Sequence, residues 1–229
     1  MSNRPECAVV LASASPRRRR LIDWLGIAVH LTAVDTPEDL EGPLADDPPR
    51  LACALAAEKA IAAARESPRG SLVLAFDTIV VLDGRILGKP RDVPDAWRML
   101  RALAGRTHRV VTGVAILDPG AASPLTFPVA TNVRMKPLTD CQIEAWMALG
   151  EFMGCAGAYN IEGQVAEVDV DECYQNVAGL PLCHLHSALT ADFLACAVVG
   201  EVTSPIPSCD AALGRTCALG PRIVAGEAG

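Results

Sequence analysis

The chain has 229 residues and a mass of 24.0 kDa, with 51% apolar and 21% charged side chains, a balance that excludes intrinsic disorder and suffices for one large core or two fused lobes. A formal net charge of −7 and a pI ≈ 5.1 argue against a duplex-binding face, which is normally basic, but allow one polyanionic ligand in a local basic pocket. Aromatic side chains are only 4% of the chain, so the core must be built from Ala, Val, Leu and Ile.

In chain order, Cys7 to Ala12 reads as a short buried strand. Ser15 then suits a helix N-cap and Pro16 the first helical position, with an apolar stripe of Leu21, Ile22 and Leu25 closed by Gly26. Asp35 to Pro49 is an acidic, proline-rich loop, and Arg50 to Arg65 an alanine-rich helix. Leu72 to Phe76 reads as a second buried strand broken by Asp77, with extended chain from Thr78 to Leu82 and a hairpin turn at Asp83-Gly84. A helix over Pro94 to Ala104 is closed by Gly105, and strands are expected at Arg109 to Leu117 and Leu125 to Met135. Thr139 caps a helix ending at Gly150; a glycine-rich stretch leads to a short strand near Val165 to Val170. Pro181 starts what reads as the last helix, and from Thr203 the Pro/Gly/Ala-rich chain reads as a tail. This mixture is α/β or α+β.

No targeting segment is evident, and no run approaches the ~20 apolar residues that a membrane span needs, so a cytoplasmic protein with no membrane or nucleic-acid partner is expected. The nine cysteines show no C-x-x-C and no usual zinc spacing, and read as reduced, mostly buried thiols. Cys183-His184-x-His186 with Cys173 nearby is the tightest metal-like group, but its leucines read as the start of a packed helix.

Five segments hold residues suited to chemistry. Ser13-Ala14-Ser15-Pro16-Arg17-Arg18 places hydroxyls and guanidinium forks at a helix start, a setting that suits phosphate, while Arg19 and Arg20 read as a solvated face. Only three of the 20 basic side chains are lysines, so Lys59 and Lys89 hint at places where a compact point charge is wanted. Asp77, at the end of an apolar strand, can bind a divalent ion or accept a proton from water. Gly84 to Pro90 is not a Walker loop, since Pro90 stands where a Ser or Thr should be. Ala156 to Gly163 and Asn176 to Pro181 bring glycines for close backbone approach.

Together these segments resemble the Maf family, nucleoside triphosphate pyrophosphatases linked with septum formation. The matching pieces run in family order from Leu11-Ala12-Ser13-Ala14-Ser15-Pro16-Arg17-Arg18 through Ala57-Glu58-Lys59-Ala60, Asp77-Thr78, Gly88-Lys89-Pro90, Leu103 to His108 and Ala156 to Tyr159 to Val177 to Leu182. The resemblance spans roughly residues 7 to 195 and leaves the chain after about Pro205 without a counterpart. It implies a two-lobed α/β fold, a mixed sheet with flanking helices and a central nucleotide cleft, over residues 1–202, with 203–229 as the tail. It further implies hydrolysis of a nucleoside triphosphate to the monophosphate and pyrophosphate with a Mg²⁺- or Mn²⁺-type ion, and is compatible with a homodimer. By the same resemblance Ser13, Arg17, Arg18, Lys59 and Lys89 bind phosphates, Asp77 is the catalytic aspartate, and Glu38 joins Asp77 at the metal. Arg17 and Thr78 look like the family branch acting on dTTP and UTP. In that branch the motif after the tyrosine resembles Tyr-x-Ile-Gln-Gly, whereas here it is Tyr159-Asn160-Ile161-Glu162-Gly163. A Glu only accepts, so Glu162 facing the base implies a preference not confined to uracil and thymine; the alternative is that Glu162 pairs with a nearby cation and never meets the base. The rival of another class is a nucleotide-binding division regulator without significant turnover; an intact Asp77 beside Lys59 and Lys89 argues against it.

Overall fold

The structure is a computed structural model and describes residues 6–191, 194, 197–198 and 201–227. Strands β1 (Glu6–Cys7) and β2 (Val9–Ala12) lead into helix α1 (Pro16–Ile22). The Ser15 hydroxyl caps α1 by accepting from the Arg18 N–H, and Gly26, at φ 67°, closes the short 3-10 turn that follows. Then come β3 (Val29–Thr32), α2 (Pro48–Glu66), β4 (Leu72–Leu82), β5 (Arg85–Leu87), α3 (Val93–Leu103), β6 (Thr107–Leu117) and β7 (Leu125–Met135). Helix α4 (Asp140–Ala148) opens with a reciprocal capping box between Thr139 and Gln142. The remaining elements are β8 (Ala166–Glu167), α5 (Tyr174–Val177), α6 (Leu182–Thr190), β9 (Ala197–Val198), α7 (Ile206–Leu213) and α8 (Leu219–Val224).

Seven strands form one mixed sheet in the order β3-β2-β4-β6-β7-β8, with β5 added beside β4, while β1 and β9 pair as a separate parallel ribbon. β2 runs parallel to both β3 and β4; β4, β6, β7 and β8 form an antiparallel meander. One register detail positions the functional site. On one edge of β4, β2 pairs with Leu72 to Ala75 and β5 pairs with Val80 to Leu82, so neither covers Phe76 to Ile79. On the other edge β6 pairs along nearly the whole strand. The result is a notch just beyond the carboxyl end of β2, where ligands of open α/β sheets usually sit.

The two faces of the sheet are packed differently. On one, α2 lies flat: Ala56, Ala60 and Ala63 meet Val10, Ala12, Val73, Ala75 and Ala115. Gly113 lets the helix come this close, since a Cβ there would lie 2.1 Å from the Ala52 carbonyl oxygen. On the other face the leucine-rich core joins Phe76, Leu100, Leu103, Ile116, Leu182 and Leu185.

Two sequence expectations are corrected, and one strand was not foreseen. β4 is not broken at Asp77; it continues for 11 residues, because Asp77 pairs in register with Gly113 and its carboxylate has a cation under α2. β3 was not foreseen: its Val-His-Leu-Thr run does alternate, but a four-residue edge strand is too short to stand out in the sequence. And α6 is not the last helix: the stretch read as a tail holds α7 and α8, with Cys209 and Ile223 buried.

Candidate active site

The notch gathers charge on the α2 face of the sheet. Alternation along β4 turns Phe76 into the leucine-rich core and Asp77 toward α2, where it is 3% exposed. Lys59, next to the buried Ala60 on α2, stands above it and donates Nζ to Asp77 Oδ1. The same ammonium donates to Glu38 Oε1 at 2.9 Å, and Lys89, just past β5, donates to that oxygen at 2.6 Å. Two carboxylates thus share two ammonium groups. Burial works against the Glu38 anion, but the hydrogen bonds from Lys89 and Lys59 outweigh it and hold its carboxyl below the usual range.

Arg18 reaches the opposite face. Its Nε donates to the Gly179 carbonyl at 2.7 Å and its Nη2 to Thr78 Oγ1 at 2.9 Å, with the guanidinium over the Phe76 ring at 5.8 Å. Burial lowers its pKa to about 10, with Asp77 opposing, so it is a cation at neutral pH. Gly179, at φ +94°, is held close: a Cβ there would stand 3.2 Å from Arg18 Nε. Arg17 lies beside the 155–158 turn, with Nη2 3.4 Å from Cys155 Sγ and a buried Nε that has no hydrogen-bond partner. A buried cationic donor without an acceptor is costly, and a ligand oxygen would satisfy it. Ser13 is buried at the end of β2, where its Oγ accepts from the Ser15 N–H and its carbonyl from the Arg19 guanidinium.

The structure therefore brings Glu38, Lys59, Asp77 and Lys89 into direct contact and sets Arg18 and Thr78 on the other side of the same strand. Glu162 stands apart from that contact. Its carboxylate is forked by Arg20 Nη2 at 2.7 and 2.9 Å on an exposed surface, so it faces a cation, the second of the two readings the sequence allows.

The model of the family described as Maf-like protein matches residues 8–192. The chain belongs to this Maf-like family. It is 45% identical over 180 residues to the dTTP/UTP pyrophosphatase of Geobacter metallireducens, covering 77% of this chain and 92% of that one. It is 42% identical over 187 residues to the dTTP/UTP pyrophosphatase of Syntrophotalea carbinolica (80% and 84%). The Anaeromyxobacter dehalogenans protein of the same name is 43% identical over 188 residues (79% and 92%). Among solved structures, the nucleoside-triphosphatase / dITP/XTP pyrophosphatase of Mycobacterium abscessus aligns with 57% of this chain and 75% of its own at 16% identity, with a TM-score of 0.36. The Maf-like match ends before α7 and α8, so these two helices lie outside the family segment.

Two contributors to this Maf-like site have no role assigned in the sequence. Thr112, and Asn176, which marks only the start of a glycine-bearing segment there, extend the Arg18–Thr78 contact into the core. Arg20, read as a solvated residue, holds Glu162 apart from that site. A signal for Thr112 does exist: Thr112-Gly113 interrupts the apolar run from Val110 to Leu117. The cysteines differ in part from expectation. Cys7 is disulfide-bonded, whereas Cys53, Cys141, Cys155, Cys173, Cys183, Cys209 and Cys217 are free; Cys196 lies outside the described residues. Burial pushes the Cys173 and Cys183 thiols up to about 12. Among the described residues no three His, Cys, Asp or Glu side chains are gathered into a zinc-type ligand set, so Cys173, Cys183, His184 and His186 do not form one. Nor is any helix among them long and apolar enough to cross a membrane.

Proposed function

We propose that the chain is a nucleoside triphosphate pyrophosphatase, hydrolysing the α–β anhydride to release a nucleoside monophosphate and pyrophosphate, with dTTP and UTP among its substrates. The observation that carries this reading is Lys59, whose single ammonium joins Asp77 to Glu38 at the notch beside β2. The names of the relatives, matched over most of their length, support the substrate class.

Charge supports it as well. Arg17, Arg18, Lys59 and Lys89 contribute four positive charges, and Asp77 and Glu38 two negative ones, which leaves a net +2 for a triphosphate carrying about four negative charges. When the polyphosphate enters, its oxygens compete for the ammonium groups of Lys59 and Lys89 and for the unpaired Nε of Arg17. The carboxylates so released are two hard oxygen donors. They fit a divalent ion of the magnesium type, which commonly takes one or two carboxylates and completes its shell with substrate phosphates and water. Glu38 and Asp77 would hold it, and the chemistry it would supply there is Lewis acidity toward phosphate oxygens and water. Asp77, 3% exposed at the base of the notch, takes the proton of the water that attacks the α-phosphorus. The bond to the β-phosphate bridging oxygen breaks, and the lysines and arginines stabilise the charge that gathers on the pyrophosphate.

The test is a product assay on UTP, dTTP, CTP and GTP that resolves pyrophosphate from orthophosphate, run with Mg²⁺ and again with a chelator. Pyrophosphate and monophosphate in equal amounts, lost on chelation and restored by Mg²⁺, is the expected result. Orthophosphate as the first product, or binding without turnover as the division-regulator reading demands, would overturn it.

A further inference from the structure

The position of Arg18 depends on hydrogen bonds whose directions are set deep in the core. The carbonyl oxygen of Asn176 can only accept, and Thr112 Oγ1 donates to it at 3.2 Å. That bond uses the single proton of the Thr112 hydroxyl. Toward Thr78 Oγ1, 2.9 Å away, Thr112 therefore acts as acceptor and Thr78 as donor. With its proton so committed, Thr78 presents only lone pairs on its other side, and there Arg18 Nη2 donates at 2.9 Å. The far end is rigid. Thr112 and Asn176 are both 0% exposed, and the Asn176 amide nitrogen lies within 3.1–3.3 Å of the Val110 and Val129 carbonyls and Thr131 Oγ1.

We infer that Thr112 is a positioning residue: by fixing Thr78 as an acceptor it aims the Arg18 guanidinium, leaving the Nη1 donors and one on Nη2 for a substrate phosphate. This rests on the reading of Arg18 as a phosphate-binding residue. Without the Thr112 hydroxyl, the Thr78 proton loses its buried acceptor and Thr78 Oγ1 is no longer held in place, so the fork loses the fixed position of one of its two anchors. Thr112 touches no reacting atom, so its effect belongs to binding more than to the chemical step.

The experiment uses the full chain with Thr112→Val, which keeps the branched shape, Thr112→Ser, which keeps the hydroxyl, and Arg18→Ala alone and combined with Thr112→Val. KM for UTP and Kd for inorganic tripolyphosphate are both measured. Thr112→Val is expected to raise both about tenfold, the effect of one oriented hydrogen bond, with kcat changed less than about threefold. Thr112→Ser should stay near wild type, and Thr112→Val should add nothing in the Arg18→Ala background. Unchanged affinity in a folded Thr112→Val, or the same further loss without Arg18, overturns the inference. Should Thr112→Val fail to fold, Thr78→Val at the notch end of the chain of bonds must show the same coupling to Arg18, and its absence is equally decisive. A wild type that binds tripolyphosphate but turns over no nucleotide would sink the pyrophosphatase reading while the tripolyphosphate measurements still decide the role of Thr112.

Discussion

Asp77 is the residue on which turnover should depend most. Asp77→Asn removes a proton acceptor without stranding its neighbour, since Lys59 keeps Glu38 at 2.9 Å. The expected outcome is a folded protein that still binds UTP but loses at least ~100-fold in kcat; near-normal turnover would move the chemistry elsewhere. Glu162 invites a different expectation. With its carboxylate forked by Arg20 on the surface, Glu162→Gln should leave the order of kcat/KM for UTP, dTTP, CTP and GTP unchanged and cost under about 1 kcal/mol of stability, as exposed pairs do. A clear shift toward UTP and dTTP would instead place this side chain at the base. Residue types and their neighbours in sequence pointed to Ser13, Arg17, Arg18, Asp77 and Lys89, each a charge or hydroxyl at a turn, cap or strand end, whereas Lys59, inside a helix, stood out through the rarity of lysine and the family resemblance. They could not disclose which partner each would take. The Arg20–Glu162 pair spans 142 positions and the Thr112–Asn176 bond 64, and no local pattern encodes such distances.

Among the elements, β4 and α2 set the geometry together. An acid inside an apolar run looks like a strand end, and only the pairing of Asp77 with Gly113 explains why β4 continues. The hairpin turn at Asp83-Gly84 and the caps of α1 and α4 were readable because they rest on local chemistry; Asp83 and Gly84 do take positive φ, 50° and 78°. β3 and the helices after Thr203 were not, since a four-residue edge strand and Pro/Gly-rich helices derive their stability from what they pack against. Gly113 links strand to helix. In Gly113→Ala the new methyl would meet the backbone of Ala52 and Cys53 at 2.1–2.5 Å, which side-chain rotation cannot relieve. α2 must lift, taking Lys59 with it. The expected cost is about 1–3 kcal/mol in urea denaturation, with kcat/KM falling by more than the loss of folded protein explains. A destabilised variant of full specific activity would show that α2 can shift without moving Lys59.

On the scale of the whole molecule, stability should depend on pH through buried imidazoles. His108 is 3% exposed, with Nε2 2.6 Å from the Tyr159 hydroxyl, and burial lowers its pKa from 6.5 to about 4; burial moves His184 the same way. The unfolded chain takes up these protons below about pH 6.5, whereas the native state resists until about pH 4. Their contribution is therefore complete above pH 6.5 and is lost as pH falls toward 4, by up to about 3 kcal/mol for His108 alone. Glu38, held below its ordinary value, acts in a lower window and leaves the range from 6.5 to 5 to the histidines. Urea midpoints at pH 7.5 and 5.0, with a proton NMR titration of His108, measure this; a titration near 6.5 would refute it.

The scarcity of lysine has a practical consequence for chemical labelling. Lys59, Lys89 and Lys136 are the only side-chain amines in 229 residues, and they differ sharply in access. Lys59 lies 13% exposed between two carboxylates, Lys136 is exposed just beyond β7, and Lys89 stands 53% exposed at the mouth of the notch. Among the lysines, an amine-selective acylating reagent should thus find two ready targets. One reports on the general surface, and the other falls silent when a polyphosphate fills the cleft, so the chain contains a footprinting probe and its internal reference.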